Sequence, residues 1–169
     1  MLLPLITFGV VPEGGGSSGP GTDRGPITAP PEQIAVVPSV QGATSVATGA
    51  PLGVATWARP FDPGDHRPYA IDFTTQLRDG EEIAAMEEIE MSAAGALLGV
   101  GIDTATGYSP IIGDDGKMVQ VYFAVEPEFW DELSFAASGL RLPVTFRVRT
   151  DGTPYDTIER SALLTVRQQ

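Results

Sequence analysis

The sequence lacks cysteine altogether and contains a single histidine, His66. Without thiols the chain can form neither disulfides nor thiolate metal sites. A Ser–His or Cys–His catalytic pair would have to use His66, which stands between Asp65 and Arg67 in a proline-rich bend. That position is typical of a surface loop. We therefore predict that the chain is not an enzyme.

Basic residues are also scarce, because 10 Lys and Arg face 22 Asp and Glu and give a formal net charge of −12. Such a surface repels phosphates and offers few cations to replace counterions, so we predict no nucleic-acid binding. No apolar run approaches the roughly 20 residues of a membrane helix. The apolar stretch 1–11 is interrupted by Pro4 and lacks a basic start and a small-residue cleavage site. We interpret it as neither signal peptide nor membrane anchor.

Motifs that carry chemistry are few. Asp114-Asp115-Gly116 could hold a calcium ion, but the EF-hand spacing is missing and such a sequence is usually only a turn. The glutamates between positions 81 and 90 suit a solvated stripe better than paired catalytic carboxylates. A phosphate-binding loop ending in Lys-Ser or Lys-Thr is absent. We predict no cofactor and no metal, with a cation at Asp114 and Asp115 as the open alternative.

Glycine and proline are abundant at the start of the chain. Residues 1–55 contain ten Gly and eight Pro, too many for the segment to offset its backbone entropy by burial. We predict an extended arm. Two β-branched islands, 2–11 and 34–40, favour docking as single strands on a sheet edge of another subunit. A flexible leader without a partner is the alternative.

Apolar residues outside the predicted core are candidate contacts with other subunits, because a soluble protein rarely leaves such groups uncovered. They stand in the two islands of the arm and in an aromatic pair within a proline-containing loop. The predicted interaction residues are Leu2, Leu3, Leu5, Ile6, Phe8, Ile34, Val36, Val37, Phe129 and Trp130.

Residues 56–169 carry the alternating pattern of half-buried strands. Apolar and polar residues alternate over 142–150, a turn follows at Asp151-Gly152, and 157–166 returns, which predicts a long hairpin. The segment 118–125 is apolar on both faces and is expected at the centre of a sheet. Tyr69, Ile71 and Phe73 are predicted to point inward from another strand.

The segment 81–96 is ambiguous because Ala, Met and Glu are good helix formers. We favour a strand over 83–92, since its neighbours are strands and Asp79-Gly80 suits a short β connection. A regular strand has two faces, and the alternation predicts the following division. One face holds Ile83, Ala85, Glu87, Ile89 and Met91, and the other Ala84, Met86, Glu88 and Glu90.

About seven short strands separated by turns are the layout of a two-sheet sandwich of immunoglobulin type. We predict an all-β fold, an Ig-like antiparallel β-sandwich at 56–169 that follows the extended arm at 1–55. Trp57 and Phe61, the first large aromatic residues after the arm, are expected to close one end of the core.

Several short motifs resemble a recurring family of tailed-phage virion proteins. An Asp-aromatic strand leads to a Leu-x-x-Gly-Asp/Glu-x-Ile turn in that family, similar to 72–83 here. Its closing strands read Val-Thr-x-x-Ile/Val-x-Thr-x-x-Gly and Arg-Ser-x-x-Leu-x-Val, similar to 144–152 and 160–166. Members are small β-sandwich virion components, often labelled phage fiber-tail adaptors.

This resemblance implies a structural protein located in the virion, acting as an adaptor at the tail or tail fibre. Its expected partners are capsid, portal or neck, tail and fibre subunits, and further copies of itself in a symmetric assembly. A decoration or cement protein on the head is the alternative position. A different class is a carbohydrate- or host-surface-binding module, with Trp57, Phe129 and Trp130 as stacking faces.

Overall fold

The computed structural model describes residues 21–39 and 54–169. Five predicted interaction residues lie outside these ranges, namely Leu2, Leu3, Leu5, Ile6 and Phe8. Ten strands and one short helix, α1 (Ala93–Ala96), are present in the described residues. The strands are β1 (Arg24–Gly25), β2 (Ile34–Val36), β3 (Ala55–Thr56), β4 (Pro68–Asp72), β5 (Ile83–Met91), β6 (Val100–Ile102), β7 (Ile111–Gly113), β8 (Met118–Val125), β9 (Leu140–Thr150) and β10 (Thr157–Val166).

The strands form two sheets that pack as a sandwich. One sheet has the order β1-β7-β8-β4-β2, with β6 also paired to β8, and the other has the order β3-β10-β9-β5. A single apolar cluster fills the space between the sheets. The predicted all-β sandwich is confirmed, and β8 occupies the predicted central position in its sheet.

Strand direction divides the molecule into two parts. All pairings among β4 to β10 are antiparallel, as predicted. The three strands before residue 57 pair in parallel, β1 with β7, β2 with β4 and β3 with β10. The sheets are therefore mixed, and the parallel pairs account for strands beyond the predicted seven.

The N-terminal segment pairs with three edge strands of the antiparallel body and touches a fourth at one residue. Strands β1 and β2 lie on the two outer strands of the larger sheet, and β3 lies on β10 of the smaller sheet. Gly21 exchanges two backbone hydrogen bonds with Met86 on β5, both of 2.8 Å. Because unpaired edges invite association, this arrangement protects the sandwich. Residues 21–39 thus find partners within their own chain.

The hairpin of β9 and β10 has the predicted faces. Ten consecutive residue pairs join the strands from Thr157↔Arg149 to Val166↔Leu140. The apolar side chains lie in the core as the alternation requires, while Arg147 and Arg149 face solvent. The buried members of the hairpin are Leu142, Val144, Phe146, Val148, Thr150, Ile158, Ala162, Leu164 and Val166.

Strand β5 confirms the strand prediction over 83–92 but not its faces. Register shifts interrupt its pairing with β9 between Ile83 and Ala85 and between Met86 and Glu88. Each shift moves the following residues to the other face, as a β-bulge does. Met86 is consequently buried, and Glu87 reaches the surface, where it pairs with Arg147 at 3.4 Å.

Aromatic residues form the centre of the core. The Trp57 ring lies edge-on to Phe123 with centroids 5.5 Å apart, and its Nε1 donates to the Ala70 carbonyl at 2.7 Å. Tyr69 donates its hydroxyl to the Pro60 carbonyl at 3.1 Å, and burial raises the pKa of this phenol to about 12. Both Trp57 and Phe61 are buried, as predicted.

One buried amide holds the first described segment. The Gln120 side chain on β8 is buried, and its Oε1 accepts the backbone N–H groups of Thr28 and Ala29 at 2.7 and 3.0 Å. The Thr28 hydroxyl donates to the same atom at 3.2 Å. A buried acceptor with three donors fixes this segment against the sheet.

Within 21–39 and 54–169, no helix has the length and apolar character needed to cross a bilayer.

Candidate interaction surface

One end of the sandwich exposes large apolar side chains. Leu97 is 79% exposed, Trp130 44% and Leu133 86%. Leu98 and Phe129 lie beside them, half-buried and packed against the core. We call these five residues the apolar end. Clustered exposed hydrophobic residues are typical of contact surfaces.

The short helix α1, which packs on the core just before it, places Leu97 at this end. The Ser92 hydroxyl caps α1 by accepting the N–H of Gly95 at 3.4 Å. Gly95 lies so close to Met91 and to Leu142 that an added Cβ would be 2.7 and 3.3 Å from their side chains. The helix is therefore seated on the core, and Leu97 in the following turn projects beyond it.

Gly99 joins the two halves of the apolar end. Its φ of +66° favours glycine, and a Cβ here would be 2.5 Å from the Phe129 ring. The Gly99 carbonyl also accepts the N–H of Glu126 at 3.0 Å. The turn after α1 and the turn that carries Phe129 and Trp130 are thus held side by side.

The predicted aromatic pair divides between core and solvent. Phe129 lies in a single 3₁₀ turn, Pro127–Phe129, and packs against the core. Trp130 is partly exposed, and its Nε1 donates to the Val125 carbonyl at 2.8 Å. Gln168 donates to the Trp130 carbonyl at 2.6 Å. Trp130 is therefore held in one orientation with part of its ring exposed.

The predicted interaction residues of the second island lie within this chain's own sheet. Ile34 and Val36 are on β2, paired with Ala70 and Asp72 of β4. Val37 is buried in the core of its own chain. Ile34 and Val36 share the outer face of β2, and Val36 is 53% exposed. These residues lie in this chain's own sheet because β2 pairs with the edge strand β4 of the same sandwich.

Sequence reasoning missed Leu97 and Leu133. Both occur in short irregular stretches, where no alternation distinguishes an exposed from a buried residue. The proximity of Leu133 to the Phe129-Trp130 pair was the only available signal. Leu97 begins the apolar run 97–102, which predicts a strand, whereas the observed strand β6 begins at Val100; for Leu97 the sequence therefore contained no such signal.

A second cluster surrounds His66. Its Nε2 lies 2.8 Å from Asp103 Oδ2, and its ring centroid is 4.1 Å from that of Tyr108 and 5.5 Å from that of Tyr122. The histidine is exposed in a loop, as predicted. These rings present a small aromatic surface with one carboxylate, on which a flat polar ligand can stack.

The turn before β5 contains a covered carboxylate, Glu81, whose side chain lies beneath Gly152. Glu81 Oε2 accepts the N–H of Arg78 at 2.9 Å. This bond, aided by the nearby Thr150 hydroxyl and only partly opposed by burial, lowers the pKa of Glu81. Because a backbone donor favours its charged form, the residue fixes the turn that leads into β5.

In the turn between β7 and β8, the acidic residues Asp114 and Asp115 make the backbone hydrogen bonds of an ordinary turn. Asp115 Oδ1 accepts the N–H of Lys117 at 3.0 Å, and the Asp114 N–H donates to the Gly25 carbonyl at 3.1 Å. Both carboxylates border a shallow groove of about 370 Å³ lined mainly by apolar residues. Within the described ranges, no group of three or more His, Cys, Asp or Glu side chains is arranged to hold a metal ion.

Comparison with known proteins gives no relative. No family model matches the chain, and neither curated proteins nor solved structures include a significant match.

Proposed function

We propose that this chain is a structural protein of a tailed-phage virion, an adaptor at the tail or tail fibre held to neighbouring subunits by apolar contacts. The observation that carries the proposal is the apolar end, where Leu97, Trp130 and Leu133 leave large hydrophobic surfaces in solvent. Tryptophan is enriched among the residues that dominate protein–protein contacts. A rigid block with one apolar end suits an assembly component.

The motif residues that resemble the fiber-tail adaptor family lie on the framework of the sandwich. Asp72 ends β4, Ile83 begins β5, and the closing motifs lie on β9 and β10. Three of these strands are neighbours in the smaller sheet, and β4 belongs to the opposite one. The resemblance thus concerns residues that determine the fold. The adaptor role is proposed in addition, by analogy with that family.

Particle composition tests the proposal. Particles purified from a lysate of the source phage and washed at high salt should contain the chain in constant ratio to tail proteins, as measured by quantitative mass spectrometry. Absence from the particles would refute a virion role. A constant ratio to the major shell protein, with density on the head in electron cryomicroscopy, would instead support a decoration protein.

A matched pair of variants tests the surface. Leu133→Asp should leave thermal unfolding unchanged, because the side chain is exposed, but should reduce incorporation into particles. The control is Tyr155→Asp, which changes a residue that is 62% exposed at the opposite end of the sandwich. Equal incorporation of both variants would contradict a contact through the apolar end.

A carbohydrate- or host-surface-binding module is a second candidate, favoured by the His66 cluster. Tyr108 is partly exposed beside the His66 ring and close to Asp103. A glycan array should then show binding that Tyr108→Ala abolishes and Trp130→Ala retains. Lack of any glycan binding by the folded parent would remove this candidate.

A further inference from the structure

We propose that a hollow beside Gly152 binds a calcium ion, with Glu81 as its central ligand. The hollow has a volume of about 260 Å³ and lies where the turn before β5 meets the loop between β9 and β10. Its lining consists of Arg78, Asp79, Gly80, Glu81, Asp151 and Gly152. The inference does not rest on a virion role and does not involve the apolar end.

One buried carboxylate oxygen points to a ligand. Glu81 is only 6% exposed, and its Oε1 has no hydrogen-bond partner among the described residues. The Thr150 hydroxyl, although nearby, makes no hydrogen bond to this atom. The other oxygen, Oε2, accepts the Arg78 N–H. A buried polar atom without a partner is rare in folded proteins and costly when charged, and a bound ion at Oε1 removes that cost.

A second oxygen borders the same space. A Cβ added to Gly152 would stand 2.6 Å from Glu81 Oε1 and 3.2 Å from the Pro154 carbonyl oxygen. Because glycine has no Cβ, the space between these two atoms stays open. Carboxylate and carbonyl oxygens are the ligands that calcium takes in proteins.

Asp151 adds a second carboxylate to the hollow. Its Oδ1 accepts the Glu82 N–H at 2.8 Å, and its own N–H donates to the Glu82 carbonyl at 3.0 Å. These bonds hold the residue beside Glu81. Two carboxylates that line one hollow repel each other, and a cation relieves this repulsion, which a water molecule does not.

Arg78 is the only basic residue in the lining and does not supply that positive charge. Its guanidinium forms an ion pair with Asp156. It makes no hydrogen bond to Glu81 Oε1. The buried oxygen therefore faces the hollow without a cation from its own chain.

The donor atoms identify the kind of ion. All of them are oxygens, which favour hard cations over zinc, a metal that binds mainly nitrogen and sulfur. Magnesium requires a nearly ideal octahedron, whereas calcium accepts an irregular set of oxygens completed by water. Within the described ranges, no three acidic side chains converge on one point. We therefore expect weak binding, with a dissociation constant on the order of 1 mM.

Thermal unfolding of the full-length chain, freed of metals by a chelator and kept at neutral pH, tests the proposal. Addition of about 10 mM calcium chloride should raise the midpoint of unfolding by about 5 °C. Glu81→Gln should lose most of this shift, because an amide replaces the charged ligand. The matched control is Glu90→Gln, which removes one charge from an exposed position on β5 and should keep the shift.

A second variant leaves both carboxylates in place. Gly152→Ala puts a methyl group into the proposed ion position, 2.6 Å from Glu81 Oε1, and should at least halve the shift. Gly101→Ala is its control, since an added Cβ there meets nothing within 4 Å and the shift should persist. This pair tests the site even if Glu81→Gln fails to fold.

Four outcomes would overturn the proposal. The first is a parent chain that calcium does not stabilise. The second is an equal shift with magnesium chloride, which would indicate general screening of the net charge of −12. The third and fourth are full shifts in Glu81→Gln or in Gly152→Ala, which would place the ion elsewhere. Particle composition is measured separately, so none of these results decides the virion role.

Discussion

The longest ladders are antiparallel and join strands from residue 68 onward, whereas the strands before residue 57 pair in parallel over two or three residues each. Ten residue pairs join β9 to β10, but only two join β1 to β7 and two join β3 to β10. The longest of them joins β9 and β10, which follow one another in the chain. The short parallel pairings connect positions up to 107 residues apart, as between Ala55 and Ala162.

The two regions are consequently held by different interactions. The body is stabilised by the apolar cluster between its sheets. The N-terminal segment depends on single anchors: the Gln120 amide, the buried Val37 side chain, and the Thr75 hydroxyl bonded to the Val37 carbonyl. A mutation in the body should therefore affect global unfolding. A mutation at an anchor should detach one N-terminal strand from the sheet edge on which it lies.

The largest effect is expected from Phe146→Ala in the body. Its ring is buried and packs near Trp57, with centroids 6.2 Å apart. Removing it should lower the free energy of unfolding by about 3–5 kcal/mol, measured by urea denaturation. Arg147→Ala, on the outer face of the same strand, is the control and should cost less than about 1 kcal/mol. Similar losses of unfolding free energy in the two variants would contradict the assignment of Phe146 to the core face of β9.

Gln120→Leu tests the amide anchor. Two backbone N–H groups, of Thr28 and Ala29, would lose their acceptor, at about 1–3 kcal/mol each if they stay buried. Hydrogen exchange should accelerate at these amides before it does in β9. Thr28→Val removes only the hydroxyl donor and should have a smaller effect. Uniform acceleration throughout the body would show that the segment is not a separate unit.

Neighbouring valines test the β2 anchor. Val37→Ala removes a buried side chain and should cost about 1–2 kcal/mol. Val36→Ala removes an exposed one and should change the free energy of unfolding by less than about 0.5 kcal/mol. Urea denaturation of the two variants measures the difference. Equal losses would contradict the placement of β2 on its own sheet.

The smallest expected effect is pH-dependent. The pKa of Glu81 is lowered in the folded chain, so its stabilising contribution is present above its usual pKa of 4.5 and is lost as the pH falls through the folded value. Glu81→Gln should therefore be less stable than the parent near neutral pH, and the gap should narrow in acid. Thermal unfolding from pH 7 to pH 3 measures this gap. Glu90→Gln controls for the removal of one negative charge. A gap that widens in acid would contradict a lowered pKa for Glu81.

Much of the body was predictable because its pattern is local. The alternation in β9, β10 and β4 identifies their inward residues correctly. It failed in β5, where two register shifts bury Met86 and expose Glu87. A bulge follows from how the strand meets its partner, and the strand's own residues do not specify it.

The candidate surface was predictable only in part. Trp130 stood out because a large aromatic residue beside Pro127 and acidic residues seldom belongs to a strand. Leu97 and Leu133 join it only because Gly99 and Phe129 bring two distant turns together. Contacts of that kind depend on tertiary packing and have no periodic signature.

The amino-acid order alone determined which residues of most strands face inward, because side chains alternate along any extended chain whatever lies beside it. Tertiary structure decided that a Gly- and Pro-rich stretch, 21–39, would pair with both edges of the larger sheet. Such a stretch pairs wherever open backbone groups come within reach, and those positions exist only after the sheets have assembled.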